Sequence, residues 1–234
     1  MSGVTVGEDG IGRCAWGTST PEYQAYHDEE WGRPVGDDIG VLETLCLEGF
    51  QSGLSWLTIL RKRQGFRDAF ARFDPSAVAA YGDADIERLL ADAGIVRHRG
   101  KIAATIANAQ ATVRLLDEHV SLAALVWAHE PRARRPRRGG DALPASTPES
   151  TALSAELRRR GFRFVGPTTV YAAMQSLGVV NDHLDGCAFR AVAEAERTRF
   201  SVPTPSSSGH SPSSAPSSRW AASSAPSSPH PTGP

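Results

Sequence analysis

The stretch Leu42-Glu-Thr-Leu-Cys-Leu-Glu-Gly-Phe-Gln-Ser-Gly-Leu-Ser-Trp56 organises the reading of this 234-residue chain. On a helix of 3.6 residues per turn, Leu42, Leu45, Cys46, Gly49, Phe50, Gly53 and Leu54 share one face. The opposite stripe is Thr44, Glu48, Gln51, Ser52 and Ser55. A solvated helix face normally collects several lysines, arginines and glutamates. This one has small neutral hydrogen-bonding groups around a single carboxylate, which suits the wall of a polar pocket. A surface glutamate on an ordinary amphipathic helix fits the stretch equally well. Gly49 and Gly53 weaken a helix, so close approach by another segment is expected at both. The helix is expected to run on to about Lys62.

Outward from this centre the pattern stays helical. Thr20-Pro21-Glu22 has a cap, a first-turn proline and an early acid, predicting a helix through Tyr23, Tyr26, His27 and Trp31. Asp74-Pro75 and Asp83 open short helices, the second running through Leu89 and Leu90 and stopping at Gly94. Ile102, Ile106, Ala109 and Val113 keep helical spacing, and residues 121–128 form a further short helix. Thr147-Pro148-Glu149 opens a helix ending at Gly161, and Pro167 opens another ending at Gly178. Period-2 alternation is almost absent; Phe162–Val165 is the one strand candidate. The expected fold class is all-α, with a domain over residues 13–200, a frayed, disordered N-terminus at 1–12 and a disordered tail at 201–234. That tail is Ser, Pro and Ala without apolar period, so it buries too little to offset ordering entropy.

The totals exclude several classes. A net charge of −1 is not that of a grossly basic nucleic-acid binder, although local patches rather than totals hold phosphates. No run approaches the roughly 18 apolar residues of a membrane span, so no membrane partner is expected. The first residues lack a secretory pattern, and three cysteines suit a reducing cytoplasm better than a disulfide framework.

Three constellations bear chemistry. Cys14, His27, His183 and Cys187 make up a Cys2His2 set, with the last two at i and i+4. Such a set is a closed, structural zinc site if it assembles. On spacing alone, two unrelated histidines and two core thiols are the simpler account. The second constellation is Leu89–Ile102, two helices joined by a glycine turn. Free amides at the start of the second helix lie beside Arg97, Arg99, Gly100 and Lys101, which would make an anion site for a DNA phosphate; a solvated connection is the plain alternative. The third is aromatic: Trp16, Tyr23, Tyr26, Trp31 and Trp56 cluster in or beside the first two helices. Aromatics beside a lone carboxylate suit a flat cationic ring, whereas Trp31 reads as ordinary core.

Together these residues resemble the bacterial 3-methyladenine DNA glycosylase I family, the constitutive branch of the helix-hairpin-helix superfamily. The likeness runs from Arg13-Cys-Ala-Trp16 through Tyr26-His-Asp-Glu-Glu-Trp-Gly32 and Leu47–Trp56. It continues in Gly94-Ile-Val-Arg-His-Arg-Gly-Lys101, Arg160-Gly-Phe-Arg-Phe-Val-Gly166 and Val180-Asn-Asp-His183. The resemblance implies a helix-hairpin-helix fold, its hairpin at about 85–110, with zinc clamping the N- and C-terminal parts. It implies Glu48 as the pocket carboxylate, Tyr26 and Trp56 as the aromatics that sandwich the base, and Trp16 and Tyr23 as cavity lining. It implies Cys14, His27, His183 and Cys187 as ligands of one structural zinc ion, and the Arg97–Lys101 hairpin as the DNA-backbone element. The implied activity is base-excision repair. A monofunctional enzyme flips 3-methyladenine out of alkylated double-stranded DNA, hydrolyses its glycosidic bond and leaves an abasic site. The implied protein is a cytoplasmic monomer, associated with the nucleoid when acting.

Several features stand apart from that pattern. Lys101 sits where bifunctional relatives place a Schiff-base lysine, and Asp117 and Glu118 follow the hairpin in a different local pattern from the catalytic aspartate of related glycosylases. The Arg132–Arg138 loop is unusually basic; it reads as an exposed solvated loop, with added non-specific DNA affinity as the alternative. The rival readings are a zinc protein that binds damaged DNA without chemistry and a hydrolase with catalytic zinc.

Overall fold

The computed structural model describes residues 3–132 and 143–204. The loop arginines at 134, 135, 137 and 138 and the tail beyond residue 204 lie outside the described residues. Ten α-helices and one two-stranded ribbon make up the regular structure of the described residues, apart from short 3-10 turns.

Residues at the N-terminus, expected to be frayed, instead form the ribbon. Val4–Val6 (β1) pairs antiparallel with Gly12–Cys14 (β2), Val4 standing opposite Cys14. An isolated two-stranded ribbon is marginal in water. This one is held by Arg13, 4% exposed, which bridges Asp9 and Asp28 at 2.8 Å each.

Helix starts follow the capping chemistry. Thr20 accepts from the Tyr23 amide at the head of α1 (Pro21–Glu29), and Asp37 accepts from Gly40 at the head of α2 (Asp38–Gln51). The single helix expected from Leu42 to Lys62 is broken. Gly53, at φ +81°, turns the chain out of α2, and Ser55 caps α3 (Trp56–Ala69) through the Thr58 amide. Hydrophobic spacing continues in phase across the break, which hides it from periodicity. Leu54, expected on the buried face, is consequently 39% exposed at the turn. Gly49 does answer to close approach: an added Cβ would lie 3.2 Å from the Phe164 Cβ.

From Gly40 to Phe50 every residue of α2 is buried. Of the stripe read as a pocket wall or a surface, Thr44 and Glu48 therefore lie inside the protein, whereas Gln51 is half-buried and Ser52 and Ser55, at and beyond the end of α2, are exposed. Packed around α2 are α3, α6 (Arg99–Asp117), α7 (Leu122–Trp127) and α9 (Pro167–Ser176). Between α3 and α4 (Pro75–Ala79), Ala71, Arg72 and Phe73 take φ of +48°, +53° and +58°. That left-handed turn costs on the order of 1 kcal/mol or more per residue. It lets the fully buried rings of Phe70 and Phe73 stack at 5.7 Å. The chain is completed by α5 (Asp83–Ala91), α8 (Pro148–Arg159) and α10 (Ala188–Arg199). The sequence reading did not find α10, whose only buried residue is Ala193, so it has almost no apolar stripe. Phe162–Val165 forms no strand.

Candidate active site and candidate metal centre

Three polar side chains are buried along α2, and two of them are satisfied by the fold. Glu43 meets the Arg67 guanidinium at 2.9 and 2.8 Å, and the Thr44 hydroxyl donates to the Gly40 carbonyl at 2.8 Å. Glu48 is different. Only 5% exposed, it accepts a 3.2 Å hydrogen bond from the Ser176 hydroxyl of α9, and no basic side chain of the described residues bonds to it. Ser176 lies 2.8 Å from the Tyr26 hydroxyl, so the chain of donors runs Tyr26 to Ser176 to Glu48. Burial pushes the Glu48 carboxyl up to about 8, and burial followed by the nearby Glu48 charge raises the Tyr26 phenol. An ionised carboxylate has about four acceptor sites. Most of those of Glu48 are left for something other than the fold.

The aromatic residues collect beside it. Trp56, the first residue of α3, sets its ring 5.5 Å from that of Tyr26. Its indole N–H is buried without a partner among the described residues, an orphaned donor of the kind that a ligand satisfies. Trp16, in the turn after β2, packs edge-on to Tyr23 at 5.9 Å and tilts over Tyr26 at 6.3 Å. The Tyr23 hydroxyl accepts from the Leu57 amide at 3.1 Å, tying α1 to the start of α3. Ser176 escaped sequence reading, because a serine 128 positions from Glu48 gives no local signal. A small cleft lies on the other side of α2, lined by Cys46, Gly49, Lys101, Thr105, Asn108 and Phe164. Its polar side chains all bond within the fold.

The segment read as a hairpin forms α5, a turn and α6. His98 caps α6 by accepting from the Lys101 amide at 3.2 Å, and Arg97, Arg99 and Gly100 are exposed beside it. Arg99 pairs with Glu87, both well exposed. Lys101 does not join this group, and its place among the DNA contacts is corrected. It is 8% exposed, and its ammonium donates to the carbonyls of Phe50 at 2.8 Å and Ser52 at 2.5 Å. The physical reason is direction. A side chain in the first turn of α6 leans back towards its N-terminus, here onto the last, unpartnered carbonyls of α2. A cation there also suits the α2 dipole. Lys101→Met keeps the stem and loses both hydrogen bonds. It is expected to lower stability by roughly 2 kcal/mol, read from the midpoint of urea denaturation.

Cys14, His27, His183 and Cys187 come together, all but completely buried, with their ligand atoms within 4.8 Å of one another. Cys14 Sγ lies 3.9 Å from His183 Nδ1, and Cys187 Sγ lies 3.5 Å from His183 Nδ1 and 3.6 Å from His27 Nε2. Bond lengths of about 2.3 Å to sulfur and 2.1 Å to nitrogen around a tetrahedron require edges of roughly 3.6 Å, so the set fits zinc. The rings are also oriented from behind. His27 Nδ1 lies 2.8 Å from Asp28, and His183 Nε2 lies 3.1 Å from the Trp31 carbonyl. A hydrogen bond from Cys14, reinforced by the two imidazoles, holds the Cys187 thiol well below its ordinary range. His183 and Cys187 sit on a turn leading into α10 rather than on a helix. Trp31, buried as expected, packs edge-on to Trp16 at 4.9 Å and His183 at 4.7 Å, joining the aromatic cluster to the Cys2His2 set.

The family model for methyladenine glycosylases matches residues 16–191. DNA-3-methyladenine glycosylase 1 of Escherichia coli strain K12 is 47% identical over 178 residues, spanning 75% of this chain and 95% of that protein. A crystal structure of 3-methyladenine DNA glycosylase I superposes with a TM-score of 0.72 at 47% identity, covering 75% of this chain and 98% of the other. The Staphylococcus aureus 3-methyladenine DNA glycosylase I, solved for its recognition of 3-methyladenine, superposes at 0.72 with 33% identity over 76% and 96% of the two chains. A match this extensive, which takes in the buried carboxylate together with His27, His183 and Cys187, places the chain in the methyladenine glycosylase family.

Proposed function

We propose that this protein is a monofunctional DNA glycosylase that excises 3-methyladenine from alkylated duplex DNA. The observation that carries the proposal is Glu48, a buried carboxylate with spare acceptor capacity, no cationic partner in the fold and aromatic rings at its side. Methylation at N3 makes the adenine base cationic within the nucleotide. A cationic ring compensates the buried charge of Glu48, whereas neutral adenine leaves it uncompensated, so the pocket selects by charge. Tyr26 and Trp56 hold the flat ring, and Trp16 and Tyr23 complete the wall.

The chemistry asks little of the protein. Water adds at C1′ and loses a proton to solvent, the C1′–N9 bond breaks, and its electron pair neutralises the positive ring. No general acid is needed, so Glu48 acts by recognition and charge. Flipping the nucleotide costs a few kcal/mol, less for a damaged pair. Leu54, exposed at the turn between the two pocket helices, suits filling the vacated stack. The α5–α6 pair serves as the helix-hairpin-helix element, with the amides at the start of α6 and the exposed Arg97 and Arg99 on the DNA backbone. Zinc at Cys14, His27, His183 and Cys187 would supply a structural clamp. The closed ligand set leaves no position for a catalytic water. We read the protein as a monomer acting on nucleoid DNA in the cytoplasm.

The test is base release from methylated duplex DNA, with free bases and strand breaks separated. Free 3-methyladenine with intact abasic strands is the expected result. Strand cleavage trapped by borohydride would instead require a Schiff-base lysine and overturn the monofunctional reading. Release of no base by folded, zinc-loaded protein would leave a DNA-binding module. Arg99→Ala is expected to weaken binding to lesioned and intact duplexes equally and to reduce the salt slope by about one unit, measured by anisotropy titration.

A further inference from the structure

We infer that Phe164 is a DNA-contacting residue, a stacking platform for a base left unstacked beside the flipped nucleotide. The inference rests on the glycosylase reading above and extends it to a segment with no assigned role. Phe164 is anomalous twice. Its φ is +55°, where a bulky side chain is disfavoured and glycine or asparagine is not, and the residue is 43% exposed. The core gains little from either feature, since the neighbours Phe162 and Val165, 3% and 1% exposed, make the buried contacts of this segment.

The surroundings nevertheless enforce the conformation. Asn108 of α6, 2% exposed, accepts from the Arg163 amide at 2.7 Å and donates to the Arg163 carbonyl at 3.2 Å. Ser154 of α8 donates to the Val165 carbonyl at 2.6 Å. Buried side chains from two helices thus pin the backbone on both sides of the strained residue. A conformation that is costly, over-determined and of little use to the core is what a functional constraint leaves behind.

Its position says what the constraint serves. The Phe164 Cβ lies against Gly49, the residue next to Glu48, and its ring is edge-on at 6.5 Å to His98, the cap of α6. Phe164 therefore bridges the pocket helix and the end of α6 that faces phosphate, with Arg97, Arg99 and Arg163 exposed on the same or adjoining segments. An exposed aromatic among cations matches nucleic acid. The cations follow the backbone, and the ring takes a base with little regard to sequence.

The test uses Phe164→Asn, because asparagine tolerates the left-handed conformation and so preserves the loop. Phe164→Tyr is the conservative partner. The Asn variant is expected to melt no lower than the parent and to bind free 3-methyladenine equally, by quenching of pocket tryptophan fluorescence. Its KM for alkylated duplex is expected to rise about tenfold with kcat nearly unchanged, the loss of one base–aromatic stack, and the Tyr variant to restore it. A 2-aminopurine beside an abasic analogue is expected to be quenched by the parent and the Tyr variant but not by the Asn variant. Parental KM and parental quenching in the Asn variant would overturn the inference. If the parent released no base at all, the glycosylase reading would fail, and duplex affinity with 2-aminopurine quenching would still decide the role of Phe164.

Discussion

Glu48→Gln is expected to reduce excision of 3-methyladenine by roughly 100-fold or more, the scale of losing one preorganised electrostatic group in a dry site. The amide keeps the shape of the side chain and its bond to Ser176 but can no longer hold negative charge against a cationic base. Zinc content and affinity for undamaged duplex should stay at the parent's values, since neither the Cys2His2 cluster nor the hairpin touches Glu48. The pH dependence gives a second reading of the same residue. Burial raises the carboxyl to about 8, so in the empty pocket at neutral pH it is largely protonated. Excision of a permanently cationic lesion should therefore rise with pH through that region in the parent and stay flat in the variant. Stability moves the other way. The folded state holds the Glu48 proton more tightly than the unfolded chain, whose carboxyl titrates near 4.5. Stability that this group leaves intact below that value is lost as pH rises towards about 8, at up to about 1.4 kcal/mol per pH unit. Glu48→Gln escapes the loss, so the variant should melt higher than the parent at pH 9 and equally at pH 4.5. Parental activity, or the same pH profile in both proteins, would remove Glu48 from the site.

Whether a residue was legible in the sequence depended on whether its information was local. Helix starts were legible because Thr20, Asp74 and Thr147 carry the cap within three residues of the amide they bind. The break after Gln51 was not, because Leu54 and Trp56 continue the apolar phase while Gly53 and Ser55 redirect the backbone. The polar stripe of α2 is legible in the sequence, but its setting is not. Only the packed structure puts Arg67 opposite Glu43 and leaves Glu48 without an ionic partner. Lys101 was misassigned for a related reason: its neighbours Arg97 and Arg99 are exposed, yet its own stem turns inward onto the end of α2. The candidate Cys2His2 set is legible as residue types, but spacing alone favours unrelated histidines and thiols, and only the family likeness turns it into an expected metal site. Cys14 and His183 stand 169 positions apart, and no periodicity spans that interval.

That separation is why removing a ligand is expected to have the largest effect on stability. The cluster joins the end of β2, the last turn of α1 and the turn that leads into α10, and around it the N-terminal ribbon and α10 bury little else; Ala193 is the only buried residue of that helix. A clamp closing so long a loop restricts the unfolded chain strongly, and a metal that binds the folded form adds its binding free energy to folding. Cys187→Ser should lose the metal, measured by elemental analysis of purified protein. It should also melt lower by about 10 °C or more, as a loss of roughly 3–5 kcal/mol implies in a domain of this size. Exhaustive chelation of the parent should reproduce the shift, and added zinc should reverse it for the parent alone. The pocket should feel the loss indirectly. Trp16 packs edge-on to His27 at 5.2 Å as well as on Tyr23 and Tyr26, so loosening the clamp frees one wall of the aromatic cluster. Excision measured well below the melting transition should therefore show a raised KM while kcat falls only slightly. A collapse of kcat in folded, metal-free protein would instead make the metal part of the chemistry, and an unchanged melting temperature would show that the four residues meet without bearing load.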